Sequence, residues 1–405
     1  MAEQFRTDIN PALRYYQAFI LAPDLSPVDH DYLLTNEWRG QKLPDRVGEL
    51  LTRYDHQFTL VRQAAAATVP CDWGIDMSPG PGTLLPGLAR NKSIVVTSRL
   101  RAMWALQNDR PADAVEDLAA AFALARNSSR DGTLISVLVQ IACENILCNT
   151  VAENYFQLAP ETLKQIVDGF NTAPPRGTVA GCLPTEKTYF HDWLKNRITD
   201  LQKENPGNDA KVMASLQDVV VGMRGDEGGQ SGETPSSFWD RVVKASGGTS
   251  NGILALLHDE EPLYGKAASI MALPQPEYEI QMTEFQRQIQ QSPDPFTPEM
   301  FSAWEKCRAR EFGSLVRLEM VRAAAEYKLH GDDGLKSVVD PYTQSPFEIQ
   351  RFVYEGVDRG FEIKSTFSAR GTPEHLIFVE KDGKPFSVGG VIRNEKAAPA
   401  GSAVK

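Results

Sequence analysis

The sequence predicts a mainly α protein, an irregular helical bundle with one tetratricopeptide-like helix pair and a small C-terminal antiparallel β element. Three observations predict it. Apolar residues recur at helical spacing over 45–68, 93–126 and 297–330. Beyond Gly331 the period changes to that of short strands. Lys381-Asp382-Gly383-Lys384 then carries the Asp-Gly signature of a hairpin turn.

The first helix starts at Asn10-Pro11, where Asn caps and Pro occupies a position whose N–H has no helical partner. It ends before Pro23, and 29–34 reads as a turn. Over 45–68 the residues Val47, Leu50, Leu51, Tyr54, Phe58 and Val61 make one stripe, which predicts a single helix closed by Pro70. The stretch 70–88, PCDWGIDMSPGPGTLLPGL, is rich in Gly and Pro and reads as a long turn. Next come 93–107 and 111–126, joined at Asn108-Asp109-Arg110. Leu100, Met103 and Trp104 face Ala114, Leu118, Ala121, Phe122 and Ala125. This pair resembles one tetratricopeptide unit, but no second copy follows at the period of about 34 residues that an array requires.

Helices are also predicted over 131–156, which is apolar around much of its circumference, over 160–171, and over 184–205 after the break at Ala173-Pro174-Pro175-Arg176-Gly177. The polar Gly/Ser-rich run 224–237 reads as a linker. Further helical patterns lie near 238–244, 252–273 and 277–291. The long one at 297–330 is introduced by Thr297-Pro298-Glu299. Strands are predicted at 347–354, 360–366, 375–380 and 385–392. The resulting division is a helical domain 1–223, a linker 224–237, a second helical segment 238–331, a β appendage 332–395 and a disordered tail 396–405.

Composition narrows the function classes. With 42% hydrophobic residues the chain can bury a sizeable core, and its formal charge of −11 argues against nucleic acid and anionic membrane as partners. No apolar run reaches the roughly 18 residues of a membrane span, and the N-terminus lacks a signal-peptide pattern. A cytoplasmic location is the expectation for the chain as written, and a periplasmic or exported one if a leader has been removed. Cys71, Cys143, Cys148, Cys182 and Cys307 contain no CxxC pair and read as buried free thiols, in keeping with a reducing compartment.

Several residue groups are candidates for chemistry. Cys71, Asp72 and Asp76 could form a nucleophile or ligand cluster, with His56 as the nearest base in sequence. The competing reading is structural, with Trp73 plugging the core and Asp72 capping a turn. Gly80-Pro81-Gly82-Thr83 lacks the Lys and Ser/Thr of a phosphate loop. Glu186 and His191 diverge by about 140° on a helix, so a metal would need a ligand from elsewhere. His258-Asp259-Glu260-Glu261 reads as a solvated acidic turn. Glu305, Arg308, Arg310 and Glu311 read as surface pairs, whereas Arg317 and Glu319 lie nearer the apolar stripe. No metal or cofactor is expected.

The segment AAAEYKLHGDDGLKSVVDPYTQSPFEIQRF resembles a recurrent bacterial ending in which a helix passes through a DP[FY]…P[LF] motif into strands. The matching residues are Asp340-Pro341-Tyr342 and Pro346-Phe347. The start NPALRYYQAF, the PCDWG loop and the hairpin text DLAAAFALAR are similar to the same large group of helical, often exported bacterial proteins. The C-terminal part looks distantly like that of type II pseudopilins. The chain departs from that pattern after Phe378 and has no hydrophobic N-terminal helix, so the resemblance implies a fold and neither pilus assembly nor calcium binding.

The sequence therefore leads to a non-catalytic binding or scaffold protein that engages a protein partner, or a copy of itself, through a helical surface. One alternative is a hydrolase-like enzyme beside 70–88 that uses carboxylates with His56 or Cys71. Another is a small-ligand or carbohydrate binder, with Trp73, Asp76 and Trp193 as candidate contacts and exposed Trp73, Trp193 or Trp239 as the clue.

Overall fold

The computed structural model describes residues 6–34, 38, 41–224, 234–354, 356–369 and 371–380. The chain is mainly helical and ends in a three-stranded antiparallel sheet. The expected linker 224–237 lies largely outside the described residues. The hairpin turn 381–384, the strand 385–392 and the tail lie wholly outside them.

Helix α1 (Pro11–Ile20) begins as its sequence predicts, with the Asn10 side chain accepting from the Ala12 N–H. The stretch read as a turn is a short helix, α2 (Pro27–Leu34). The expected single helix over 45–68 is instead two, α3 (Asp45–Thr52) and α4 (Asp55–Ala65). At the break the Leu51 carbonyl accepts from Tyr54 N–H at 3.1 Å and from the Arg101 guanidinium at 3.2 Å, in place of a continuing helical bond. The apolar stripe runs through the break, which is why periodicity missed it.

The helix pair α5 (Gly87–Gln107) and α6 (Pro111–Ser128) forms as predicted, α5 beginning almost two turns early. Asp109, at φ 54°, turns the chain between them. Helices α7 (Leu134–Asn154) and α8 (Pro160–Asn171) follow. By length and composition Leu134–Gln157 could cross a membrane, contrary to the expectation that no run is apolar enough. Just over half of that window is buried among other helices, and core packing demands the same apolarity.

The expected helix 184–205 starts earlier, as α9 (Val179–Glu186), capped by Thr178. Pro184 lies inside it rather than at its first position. A π-helical stretch, Lys187–Asp192, then carries the chain into α10 (Trp193–Glu204). Helix α11 (Asp209–Arg224) was not anticipated, although Val212, Leu216 and Val220 are spaced i, i+4, i+8 and buried. Helices α12 (Pro235–Ala245), α13 (Ser250–Met271), α14 (Gln275–Gln290) and α15 (Phe296–Lys336) complete the helical part. Gly331, at φ 64° and ψ −146°, breaks α15 near its end. Pro295, not Thr297, occupies the cap position.

Strands β1 (Glu348–Tyr354), β2 (Val357–Ser368) and β3 (Pro373–Val379) lie in that order, with Arg351 opposite Phe361 and Glu362 opposite Ile377. The sheet shares its core with the helices. Phe361 stacks on Phe378, the edges of both meet Tyr155 at the end of α7, and the Tyr155 hydroxyl donates to the Ala324 carbonyl of α15 at 3.0 Å. That core continues through α5, α6 and α8, where Phe122 and Phe170 stack at 4.1 Å. A second core joins α1, α3, α4 and α5 to residues of 70–88. A third lies among α7, α9, α13, α14 and α15, and a fourth among α10–α13.

Candidate functional site

Residues 70–88 form a strap across the first helices. Asn10 holds its start, donating to the Asp72 carbonyl at 2.7 Å and accepting from the Asp72 N–H at 3.1 Å. Trp73 is buried between Tyr15 and Phe19, both nearly parallel to it, and its indole N–H donates to the Asn127 carbonyl at 2.7 Å. Asp72 closes a turn by accepting from Gly74 N–H. Asp76 accepts from the N–H and hydroxyl of Ser78, and these bonds hold its exposed carboxyl below the usual range. Further on, Gly80 rests on the ring of Trp193, so the strap reaches the π-helical stretch.

The candidate catalytic residues are not joined. Cys71 is buried, and burial pushes its thiol up to about 12. His56 is exposed on α4, and among the described residues no hydrogen bond or ion pair links it to Cys71. Trp73 and Trp239 are buried, and Trp193 is half-buried with Gly80 packed on its ring. All five cysteines are free and buried.

Two carboxylates beneath the strap serve a helix end. Asp131 accepts from Thr133 N–H at 2.9 Å, from the Thr133 hydroxyl and from the Ser136 hydroxyl, and Glu186 accepts from Leu134 N–H at 2.6 Å. Burial raises both carboxyls against the opposing pull of these bonds. Both groups satisfy donors that the first turn of α7 leaves without helical partners.

On the π-helical stretch, His191 is fully buried. Its Nε2 lies 2.6 Å from the Leu257 carbonyl and its Nδ1 2.9 Å from the Asp192 carboxylate. Glu261 supplies the group from elsewhere that Glu186 does not, its oxygen converging with His191 and Asp192 within 4.8 Å. Lys187 pairs with Asp192, however, and Lys195 with Glu261. The carboxylates are thus already neutralised, and the group is an ion-pair network.

A more deeply buried network lies where α6, α7, α9 and α15 meet. Glu144, on the long apolar helix α7, accepts from Arg176 at 2.8 Å and from the Ser314 hydroxyl at 2.9 Å, and it forms an ion pair with Arg126 at 2.8 Å. Glu311 was expected at the surface but is only 2% exposed. It accepts from Arg308 and from the Val179 N–H, with Arg176 within 3.9 Å. Arg317 pairs with Glu374 on β3, and Glu319 pairs with Arg322. The expected solvated turn at 258–261 is also overturned, because these residues lie within α13 and Glu260 is 1% exposed.

Among the described residues, a groove of about 620 Å³ lies over α6. Ala119, Ala120 and Ala123 line its floor, with Glu116 at one end. Arg62 and Ala65 of α4, with Ala66 just beyond it, form one side, and Gly169, Ala173 and Pro174 the other. None of these alanines belongs to the stripe of Ala114, Leu118, Ala121, Phe122 and Ala125 read from the sequence. The signal that marks the groove is Glu116, Ala119, Ala120 and Ala123 at i, i+3, i+4 and i+7, a second face of α6 opposite the Leu118 and Phe122 stripe. Alanine is the commonest residue of the lining, with Thr59, Gln63 and Thr172 as its neutral polar groups. No family model matches the chain, and no curated protein or solved structure matches it.

Proposed function

We propose that the protein is a non-catalytic binding protein that holds a helical segment of a protein partner, or of a second copy of itself, in the groove over α6. The observation that carries this reading is the alanine floor between α4 and α8. Side chains this small let a partner backbone approach closely, and a helix laid into such a groove buries apolar surface along one face. Arg62 and Glu116 at the rim offer charges of both signs for orientation. The α5–α6 pair, two helices joined by a tight turn as in a tetratricopeptide unit though longer than one, supports the same reading, because such pairs present one helix face to a ligand. The separation of Cys71 from a base weighs against the hydrolase alternative. The burial of Trp73 and Trp239 weighs against sugar stacking. The free thiols accord with a reducing compartment.

The test is to block the groove from its rim. Ala66 is exposed at the end of α4, so Ala66→Trp is expected to leave stability within about 0.5 kcal/mol of the parent. Affinity capture and light scattering are expected to show a partner or a dimer for the parent and its loss in Ala66→Trp. A strict monomer that recovers no partner, or binding unchanged by the substitution, overturns the proposal.

A further inference from the structure

Glu260 and Asp294 meet inside the protein without a cation between them. Glu260 is 1% exposed and Asp294 7%. One oxygen of each is engaged. Glu260 Oε1 accepts from the Thr297 hydroxyl at 2.9 Å, and Asp294 Oδ1 accepts from Phe296 N–H at 2.9 Å. The other oxygens, Glu260 Oε2 and Asp294 Oδ2, have no donor, and the two carboxyl groups lie within hydrogen-bonding reach of each other. Two facing acceptors in a buried site repel unless a proton lies between them.

The pair has a strategic position. Glu260 precedes Pro262, which sits inside α13 and removes one of its helical hydrogen bonds. Asp294 lies in the short connection between α14 and α15. The surrounding titratable groups do not compensate two negative charges. Asp259 adds repulsion, and Tyr264 is itself held neutral by burial. Lys195 is engaged by Glu261, and Lys187 and His191 by Asp192.

We propose that Glu260 and Asp294 share one proton and form a pH-sensitive latch that fastens α13 to the α14–α15 connection and opens when that proton is lost. Burial first, then the Asp294 charge, raises the Glu260 carboxyl to about 9 from an ordinary 4.5. The closed form therefore retains a proton that the open form releases between those values. Closure is fully favoured below the lower value, and its advantage falls as pH rises toward the upper one.

Amide hydrogen exchange on the full chain, corrected for intrinsic rates, reads this directly. The opening constant at Phe296 and its neighbours is expected to rise about tenfold per pH unit between roughly pH 6 and 8. In Glu260→Gln, whose amide donates without titrating, the profile is expected to be flat. An equal slope in parent and Glu260→Gln overturns the proposal. Infrared difference spectra of the parent provide a readout that does not depend on the variant folding: a protonated-carboxyl band persisting at pH 7 supports the shared proton, and its absence overturns it. Magnesium or calcium slowing the opening at pH 8 also overturns it, because the pair would then be a cation site.

Discussion

Gly80 packs against the indole of Trp193, so close that a Cβ at Gly80 would stand 2.5 Å from its nearest ring carbons. The contact couples the strap of 70–88 to the start of α10, more than a hundred residues further along the chain. Gly80 also has φ of +61°, where a side chain is strained. Gly80→Ala is expected to cost about 1–3 kcal/mol, from strain and displacement of the indole together. Urea unfolding followed by tryptophan fluorescence measures it. A midpoint unchanged from the parent would show that the strap does not need this contact.

The same contact shows what could be read from the sequence. Turn chemistry around Trp73 was legible, because Gly, Pro and Asp carry local backbone preferences. That Trp193 lies under Gly80 was not, since tertiary packing alone brings them together. Most helices were legible through their apolar stripes, whereas the break between α3 and α4 was hidden because the stripe runs through it and the ligand for the Leu51 carbonyl, Arg101, comes from a different helix. Charges were the least legible of all. Glu144, Glu260 and Glu311 have the residue type of a surface, and the groups they meet inside, Arg176, Thr297 and the Val179 N–H, come from distant parts of the chain. The alanine face of α6 was present in the spacing, but an alanine that forms a helix and one that lines a groove look alike in sequence.

Glu144 is the position where loss of charge is expected to be most damaging. It is fully buried and holds Arg126 and Arg176, both of which are largely buried themselves. Removing the carboxylate leaves two cations facing each other with only Glu311 nearby. Glu144→Ala is expected to destabilise by about 3–5 kcal/mol, the range for stranding a buried charge. Glu144→Gln keeps the shape but offers its amide N–H groups toward guanidinium donors, so it is expected to recover only part of the loss. Guanidinium chloride unfolding of the three proteins, analysed at constant m-value, checks the order. If Glu144→Gln matches the parent, the network holds α6, α7 and α15 together by shape rather than charge.

Cys71 provides the sharpest chemical test of the strap. Its thiol lies beside the Asn10-capped start of α1, buried and pushed up to about 12, with burial the largest cause and Arg130 only partly offsetting it. A thiol in that state holds almost no thiolate at pH 8, while an unfolded cysteine near 8.5 holds a sizeable fraction. Alkylation of Cys71 in the folded chain is therefore expected to run on the order of a thousandfold slower than in urea, from ionisation alone and before steric protection is counted. Because the folded thiol stays protonated, the folded rate is expected to keep rising with pH beyond 9, where the unfolded rate has levelled. Mass-spectrometric mapping of iodoacetamide adducts over pH 7–10 measures both curves. Rapid labelling of Cys71 at pH 7 in the folded chain would mark an activated thiolate and bring the hydrolase alternative back.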